Sequence, residues 1–202
     1  MKCELVSSLA DVNRNEWDAL NTSNHPFTSY DFLNSLEMSE SVTAKTGWNP
    51  QHIIIKNNTG NIIGASPNYL KMHSYGEYIF DHAWANAFEN AGGQYYPKLL
   101  SAIPFTPATG PRILIDPKNP DNNKIFELII KMFEVIVQNN NLSSAHINFI
   151  TDNLNKKLNN EKWIKRKGLQ FHWHNKDYSS FDDFLSKLKS SKRKAIRKER
   201  RT

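Results

Sequence analysis

A single cysteine, Cys3, stands in the 202 residues, so no internal disulfide framework can form. That usage fits a reducing cytoplasm, and a lone thiol on a first strand reads as packing rather than as a nucleophile. Long apolar runs are also missing: nothing approaches the roughly 18 residues that a transmembrane helix needs. The first ten residues carry Lys2 and Glu4 but no apolar stretch of the kind that marks a secretory signal. Acidic residues are scarce at one end only. Residues 187–202 hold nine Lys and Arg against one Glu, whereas residues 1–186 hold 17 basic against 19 acidic residues. The overall charge of +6 therefore belongs to the tail, and the body offers no electrostatic case for nucleic acid.

What is present reads as one α/β (α+β) domain with a mixed sheet. A short strand at Glu4–Val6 precedes helices at Asn13–Leu20 and Tyr30–Met38, the second with Ser29 as its N-cap. Gly47 to Pro50 reads as a turn, and Ile53–Ile55 and Ile62–Ile63 flank the hairpin signal Asn57-Asn-Thr-Gly60. Tyr78–Phe80 is expected as a strand, then a helix over His82–Asn90, then a strand at Arg112–Ile115. The apolar spacing of Ile125, Leu128, Ile129, Met132, Phe133 and Ile136 predicts a helix over Asn123–Gln138. A strand at Ala145–Ile150, a helix at Asp152–Asn160, a strand at Leu169–Trp173 and a helix capped by Ser180 complete the series. From Lys189 the apolar period stops, and the charged segment to Thr202 reads as a basic linker helix.

The densest chemistry lies between Tyr69 and Arg112, where rings, carboxylates, His73 and two lysines alternate with Gly and Pro. Such a stretch suits a polar-lined cavity better than a plain core. Glu77 and Asp81, or His73 near neutral pH, would serve as the base that takes a proton from an acceptor amine. The structural alternative is that Glu77 and Asp81 pair with Lys71 and Lys98 and only hold a loop. Tyr78, Trp84, Tyr95 and Tyr96 would present rings and hydroxyls to a sugar or peptide, or else fill the core. Lys71, Lys98 and Arg112 are the cationic candidates for substrate binding.

His172 and His174, two residues apart, would share one face of a strand and line the cleft, with structural hydrogen bonding as the plain alternative. A metal site would need a third ligand that no spacing names, so no metal is expected. The basic tail would grip RNA phosphates or an anionic lipid surface, or remain a solvated face.

Several blocks then resemble the FemAB-like family of predicted N-acyltransferases, which belongs to the GNAT superfamily and is labelled peptidoglycan biosynthesis or recognition. They include His25-Pro-Phe27 with Phe32-Leu33 and Leu36-Glu37, Gly47-Trp-Asn-Pro50, Tyr69-Leu-Lys71 with His73-Ser74, and Gly76-Glu-Tyr78 with Phe80-Asp81. Trp84-Ala85, Tyr95-Tyr-Pro-Lys98, Pro104-Phe-Thr-Pro107, Phe171-His-Trp-His-Asn175, Phe181-Asp-Asp-Phe-Leu185 and Lys192-Arg-Lys194 continue the likeness. The resemblance implies a GNAT-like sheet flanked by helices over residues 1–178. Residues 179–202 would then link to a second GNAT-like domain. It implies transfer of an acyl or aminoacyl group to an amine, plausibly on a cell-wall precursor, with acyl-CoA or aminoacyl-tRNA as donor; a non-catalytic module that binds peptidoglycan fragments is the alternative.

A GNAT domain holds the CoA pyrophosphate on a glycine-rich loop at a helix N-terminus. The corresponding stretch, Asp116-Pro-Lys-Asn-Pro-Asp-Asn-Asn123, has no glycine, two acidic residues and two prolines. CoA is therefore not expected to bind here in the usual manner.

Overall fold

The structure, a computed structural model, describes residues 1–158 and 162–201. It divides into two compact units, Met1–Ile164 and Lys165–Thr202, so the sequence-based boundary at 178/179 falls inside the second.

The first unit holds β1 (Lys2–Val6), α1 (Arg14–Leu20), α2 (Tyr30–Met38), β2 (Trp48–Pro50), β3 (His52–Lys56), β4 (Ile62–Ser66), β5 (Tyr69–Lys71), α3 (His82–Asn90), β6 (Lys98–Ser101), β7 (Leu114–Ile115), α4 (Asn122–Asn139), β8 (Ala145–Ile147) and α5 (Asp152–Lys157). Local chemistry explains the helix starts. Asn13 Oδ1 accepts from the Asn15 and Glu16 amides, and Ser29 Oγ accepts from Phe32 N at 3.3 Å.

The mixed α/β fold expected is present, its strands divided between two four-stranded sheets in the orders β1-β3-β4-β7 and β2-β5-β6-β8. The first is antiparallel; the second becomes mixed where β6 runs parallel to β8. Both grow from the same pair of chain arms. Gln51 separates β2 from β3, and Pro67-Asn68 separates β4 from β5, where proline cannot supply a ladder amide. Gln51 N still donates to Asn68 O at 2.8 Å across the break.

Alternation along β3 distributes the core. Ile54 packs with Leu9, Trp17, Leu20 and Leu33 from the α1/α2 side. Ile53 and Ile55 pack with Leu99 and with Ile125, Ile129, Phe133 and Ile136 of α4. Each such side chain contributes about 1.5–3 kcal/mol on burial.

Five sequence expectations are corrected. The turn at Gly47–Pro50 lies earlier, where Gly47 N donates to Ala44 O and Trp48 N to Thr43 O, and Trp48–Pro50 is already strand. Tyr78–Phe80 is not a strand, because Tyr78 (φ +58°) and Phe80 (φ +53°) adopt left-handed backbone. The strand at 145–150 stops at Ile147, before Phe149 at φ +53°. No strand forms at Leu169–Trp173. The helix expected to reach Asn160 ends at Lys157, and Asn159 and Asn160 lie outside the described residues.

The second unit contains α6 (Phe181–Ser186), capped by Ser180 Oγ on Asp183 N at 3.1 Å, and α7 (Ser190–Glu199). No helix among the described residues is long and apolar enough to cross a membrane.

Candidate functional site

The site grows from a cross-strand row. In the ladders of the second sheet Trp48 of β2 lies opposite Lys71 of β5, and Lys71 lies opposite Lys98 of β6. Directly opposed like charges are unfavourable unless something neutralises them. The chain between β5 and β6 supplies the counter-charges.

Residues 72–97 form a long excursion that is pinned back onto the row. Lys98 Nζ donates to Ser74 Oγ at 2.9 Å, Glu77 Oε2 at 3.0 Å and Asp81 Oδ2 at 2.8 Å, so all three ammonium protons are used. Tyr95 OH also donates to Asp81 Oδ2, at 2.8 Å, and Ser74 Oγ lies 2.8 Å from Tyr96 OH. Asp81 occupies the N-cap position of α3 but its side chain makes no cap hydrogen bond, the carboxylate being turned inward to Lys98. Lys71 takes a different partner: its Nζ sits 3.5 Å from the Trp48 ring centroid and donates to Tyr75 O at 3.3 Å.

Lys71, Lys98, Asp81 and Arg112 have no exposed surface and Glu77 has 3%. Burial raises the Glu77 pKa and outweighs the pull of Lys98. Burial acts on Asp81 in the same sense, but its hydrogen bonds with Lys98, Ser74 and Tyr95 prevail and hold it below the usual carboxylate range. Burial also pushes Lys71 down to about 7, against the attraction of Glu77. Two neighbouring carboxylates are thus driven apart, the pattern that separates proton-holding from charge-holding roles. Glu77 Oε1, Asp81 Oδ1 and Trp48 Nε1 are buried with no hydrogen-bond partner among the described residues.

His73 differs from the other acid/base candidates in being only half-buried. Its ring packs 5.0 Å from Tyr75, which in turn lies 5.8 Å from His82. Burial, then the charge of Lys71, lower its pKa. Gly47 makes room for it: at φ +74° a Cβ there would lie 2.2 Å from His73 Nε2. Gly76, at φ +78°, likewise passes within reach of the Phe105 ring, 2.7 Å from a hypothetical Cβ.

The remaining candidates separate. Tyr78 and Trp84 present their rings outward, with Tyr75 (70% exposed) and Phe80 (76%) beside them in sequence. Tyr95 is buried against Asp81, and Tyr96 is partly buried. Arg112 donates to three backbone carbonyls, Asn148 O at 2.9 Å, Pro111 O at 3.1 Å and Ala108 O at 2.7 Å, and so braces the 104–112 loop. His172 and His174 lie in the second unit, exposed and stacked 6.3 Å apart, on irregular backbone rather than a strand. Among the described residues no group of three or more His, Cys, Asp or Glu is placed to hold a metal. Sequence reasoning did not single out Trp48 or Ser74 as site residues; the register opposite Lys71 reveals the first, and no local signal marks the second.

The lead-in to α4 carries Asp116, Pro117, Pro120 and Asp121. Asp121 is the N-cap, its Oδ1 paired with Lys124 at 3.0 Å, and Asp116 Oδ1 accepts from Lys118 N at 2.9 Å.

An aminoglycoside antibiotic 6'-N-acetyltransferase from Acinetobacter baumannii superimposes with a TM-score of 0.50 at 11% identity, covering 86% of this chain and 97% of that one. The corresponding enzyme from Acinetobacter haemolyticus gives 0.49 at 11% identity, over 88% and 100%. A ribosomal-protein-alanine N-acetyltransferase from Brucella melitensis gives 0.46 at 12%, over 86% and 98%. At such identities the first of these establishes a common fold, that of the GNAT acetyltransferases, and nothing finer. No curated protein sequence matches the chain. The FemAB-like family, described as peptidoglycan biosynthesis/recognition, matches residues 8–202, and the chain belongs to that family.

Proposed function

We propose that this protein takes part in transfer of an acyl or aminoacyl group to an amine carried by a cell-wall precursor, in the cytoplasm. The observation that carries the reading is the pinned 72–97 excursion. It sets a half-buried imidazole with a lowered pKa beside outward-facing rings, over a cluster in which Glu77 and Asp81 are driven apart in pKa. His73, half-buried and with its pKa lowered, takes the proton as the amine nitrogen bonds to the acyl carbon, its Nδ1 giving up the hydrogen bond that it accepts from Tyr75 N at 3.3 Å. The leaving group departs with the electron pair of the bond it loses. Tyr75, Tyr78 and Trp84 bind the acceptor, while Lys98, Glu77 and Asp81 hold the excursion in shape.

The lead-in to α4 does not suit a CoA pyrophosphate, with Asp116 and Asp121 opposing its charge and Pro117 and Pro120 lacking amides. In this reading a second GNAT-like domain supplies the donor site. The same lead-in favours the other reading, a module that binds cell-wall fragments without turning them over. Incubation with acetyl-CoA or aminoacyl-tRNA and an amine-bearing precursor, read by mass spectrometry, separates the two. Product that disappears in His73→Ala supports transfer; bound precursor with no product under either donor supports the module.

A further inference from the structure

We propose that the Lys165–Thr202 unit docks on an anionic lipid bilayer surface. This part of the chain carries thirteen Lys and Arg against four Asp and Glu, a net charge of +9, while residues 1–164 are net negative. Within its α6–α7 hairpin Lys187 lies 4.0 Å from Asp183 Oδ1. Three arginines serve the hairpin itself: Arg197 pairs with Asp182 at 3.1 Å, Arg193 donates to Ser186 O at 3.3 Å, and Arg200 lies 4.2 Å from the Phe181 ring centroid. Lys194 and Lys198 share a different face of α7, and Arg201 follows in the turn just past its end, at i+7 from Lys194. This second row is exposed.

Charge alone would suit any polyanion. The apolar side chains of the same unit decide for lipid. Leu169 (80% exposed) and Phe171 (93%) project into solvent from an irregular segment next to Lys165, Arg166 and Lys167, and Trp173 (65%) stays largely exposed while its ring packs 6.2 Å from Tyr178 and 6.1 Å from Phe184. Cations combined with exposed Leu, Phe and Trp match the boundary between anionic headgroups and acyl chains. A nucleic acid would use the rings for stacking but has no place for Leu169, and α7 itself carries no ring.

The test is co-sedimentation of the full chain with phosphatidylcholine vesicles, with or without 30% phosphatidylglycerol, and with a single-stranded RNA of about 40 nucleotides as competitor. Binding is expected only to the anionic vesicles and should weaken with salt. Lys194→Gln/Arg201→Gln should lose on the order of 30-fold, at roughly fivefold per cation. Leu169→Ser/Phe171→Ser should lose on the order of tenfold. Circular dichroism melts of both variants check that they fold. Equal binding to both vesicle types, no binding, or variants that bind as the parent would overturn the proposal. So would RNA binding tighter than vesicle binding and indifferent to Leu169→Ser/Phe171→Ser.

Discussion

Lys98 Nζ lies 2.8 Å from Asp81 Oδ2, with neither side chain exposed, and the same ammonium reaches Glu77 Oε2 at 3.0 Å. One strand residue therefore neutralises two carboxylates on a loop that begins 26 residues earlier in the chain, at Met72. Removing it leaves two buried acids without a cation. Lys98→Met should cost about 3–5 kcal/mol, lowering Tm by roughly 6–20 °C for a chain of this size. Adding Glu77→Gln and Asp81→Asn should recover part of that loss; absence of recovery in a melting experiment would show that Lys98 is not acting as their counter-charge.

Lys71 has the opposite character. Its folded pKa, about 7, lies below the ordinary 10.5, so between those values the unfolded chain binds more protons and stability rises with pH. Below pH 7 the penalty is complete and level. Lys71→Met removes it while keeping the stem over Trp48. The variant should melt a few degrees above the parent at pH 7, and the gap should close as pH approaches 10. A gap that does not change with pH would mean that Lys71 stays protonated throughout.

Much of the fold was legible because the relevant signals are local. Ser29, Asn13 and Ser180 mark helix starts through their own oxygens, and the spacing of Ile125, Ile129, Phe133 and Ile136 needs only the helix period. Strands β5 and β6 were not legible, because each carries a fully buried lysine in a position that an apolar pattern would leave blank. Tyr78–Phe80 and Leu169–Trp173 failed in the other direction. Their rings have strand propensity, but left-handed backbone at Tyr78 and Phe80 breaks the first, and the second pairs with no neighbouring strand. The pairing of Glu77 and Asp81 was one of two alternatives that their sequence positions allowed. Which lysine would take both, and which would turn to a tryptophan, depends on the register Trp48–Lys71–Lys98, a relationship across three strands.

Gly47 and Gly168 provide a matched pair of substitutions. Gly47 combines φ +74° with a hypothetical Cβ 2.2 Å from His73 Nε2, whereas Gly168 has no atom within 4 Å of the added methyl. Gly47→Ala should cost about 1–2 kcal/mol in backbone strain and move the His73 ring. Gly168→Ala should stay within about 0.5 kcal/mol of the parent. Denaturant titration gives the stability difference, and the His73 imidazole resonances should shift only in the first variant. Unshifted resonances in Gly47→Ala would show that the ring is not held by this contact.

His73 makes the sharpest functional prediction. Burial and the nearby Lys71 lower its pKa, so its neutral form should already predominate below pH 6.5. If it is the base, kcat/KM for amine acylation should rise with pH through that lowered value and then level off before neutrality, unless ionisation of the acceptor amine sets its own limb at higher pH. His73→Ala should remove the acidic limb and cut the rate about 10²–10⁴-fold. Asp81→Asn, by contrast, should act mainly through stability, because its carboxylate is buried and already committed to Lys98 and Tyr95. An acidic limb that survives in His73→Ala but vanishes in Glu77→Gln would move the base to Glu77. The excursion would then have to open for substrate to reach it, since Glu77 shows almost no surface in the closed arrangement.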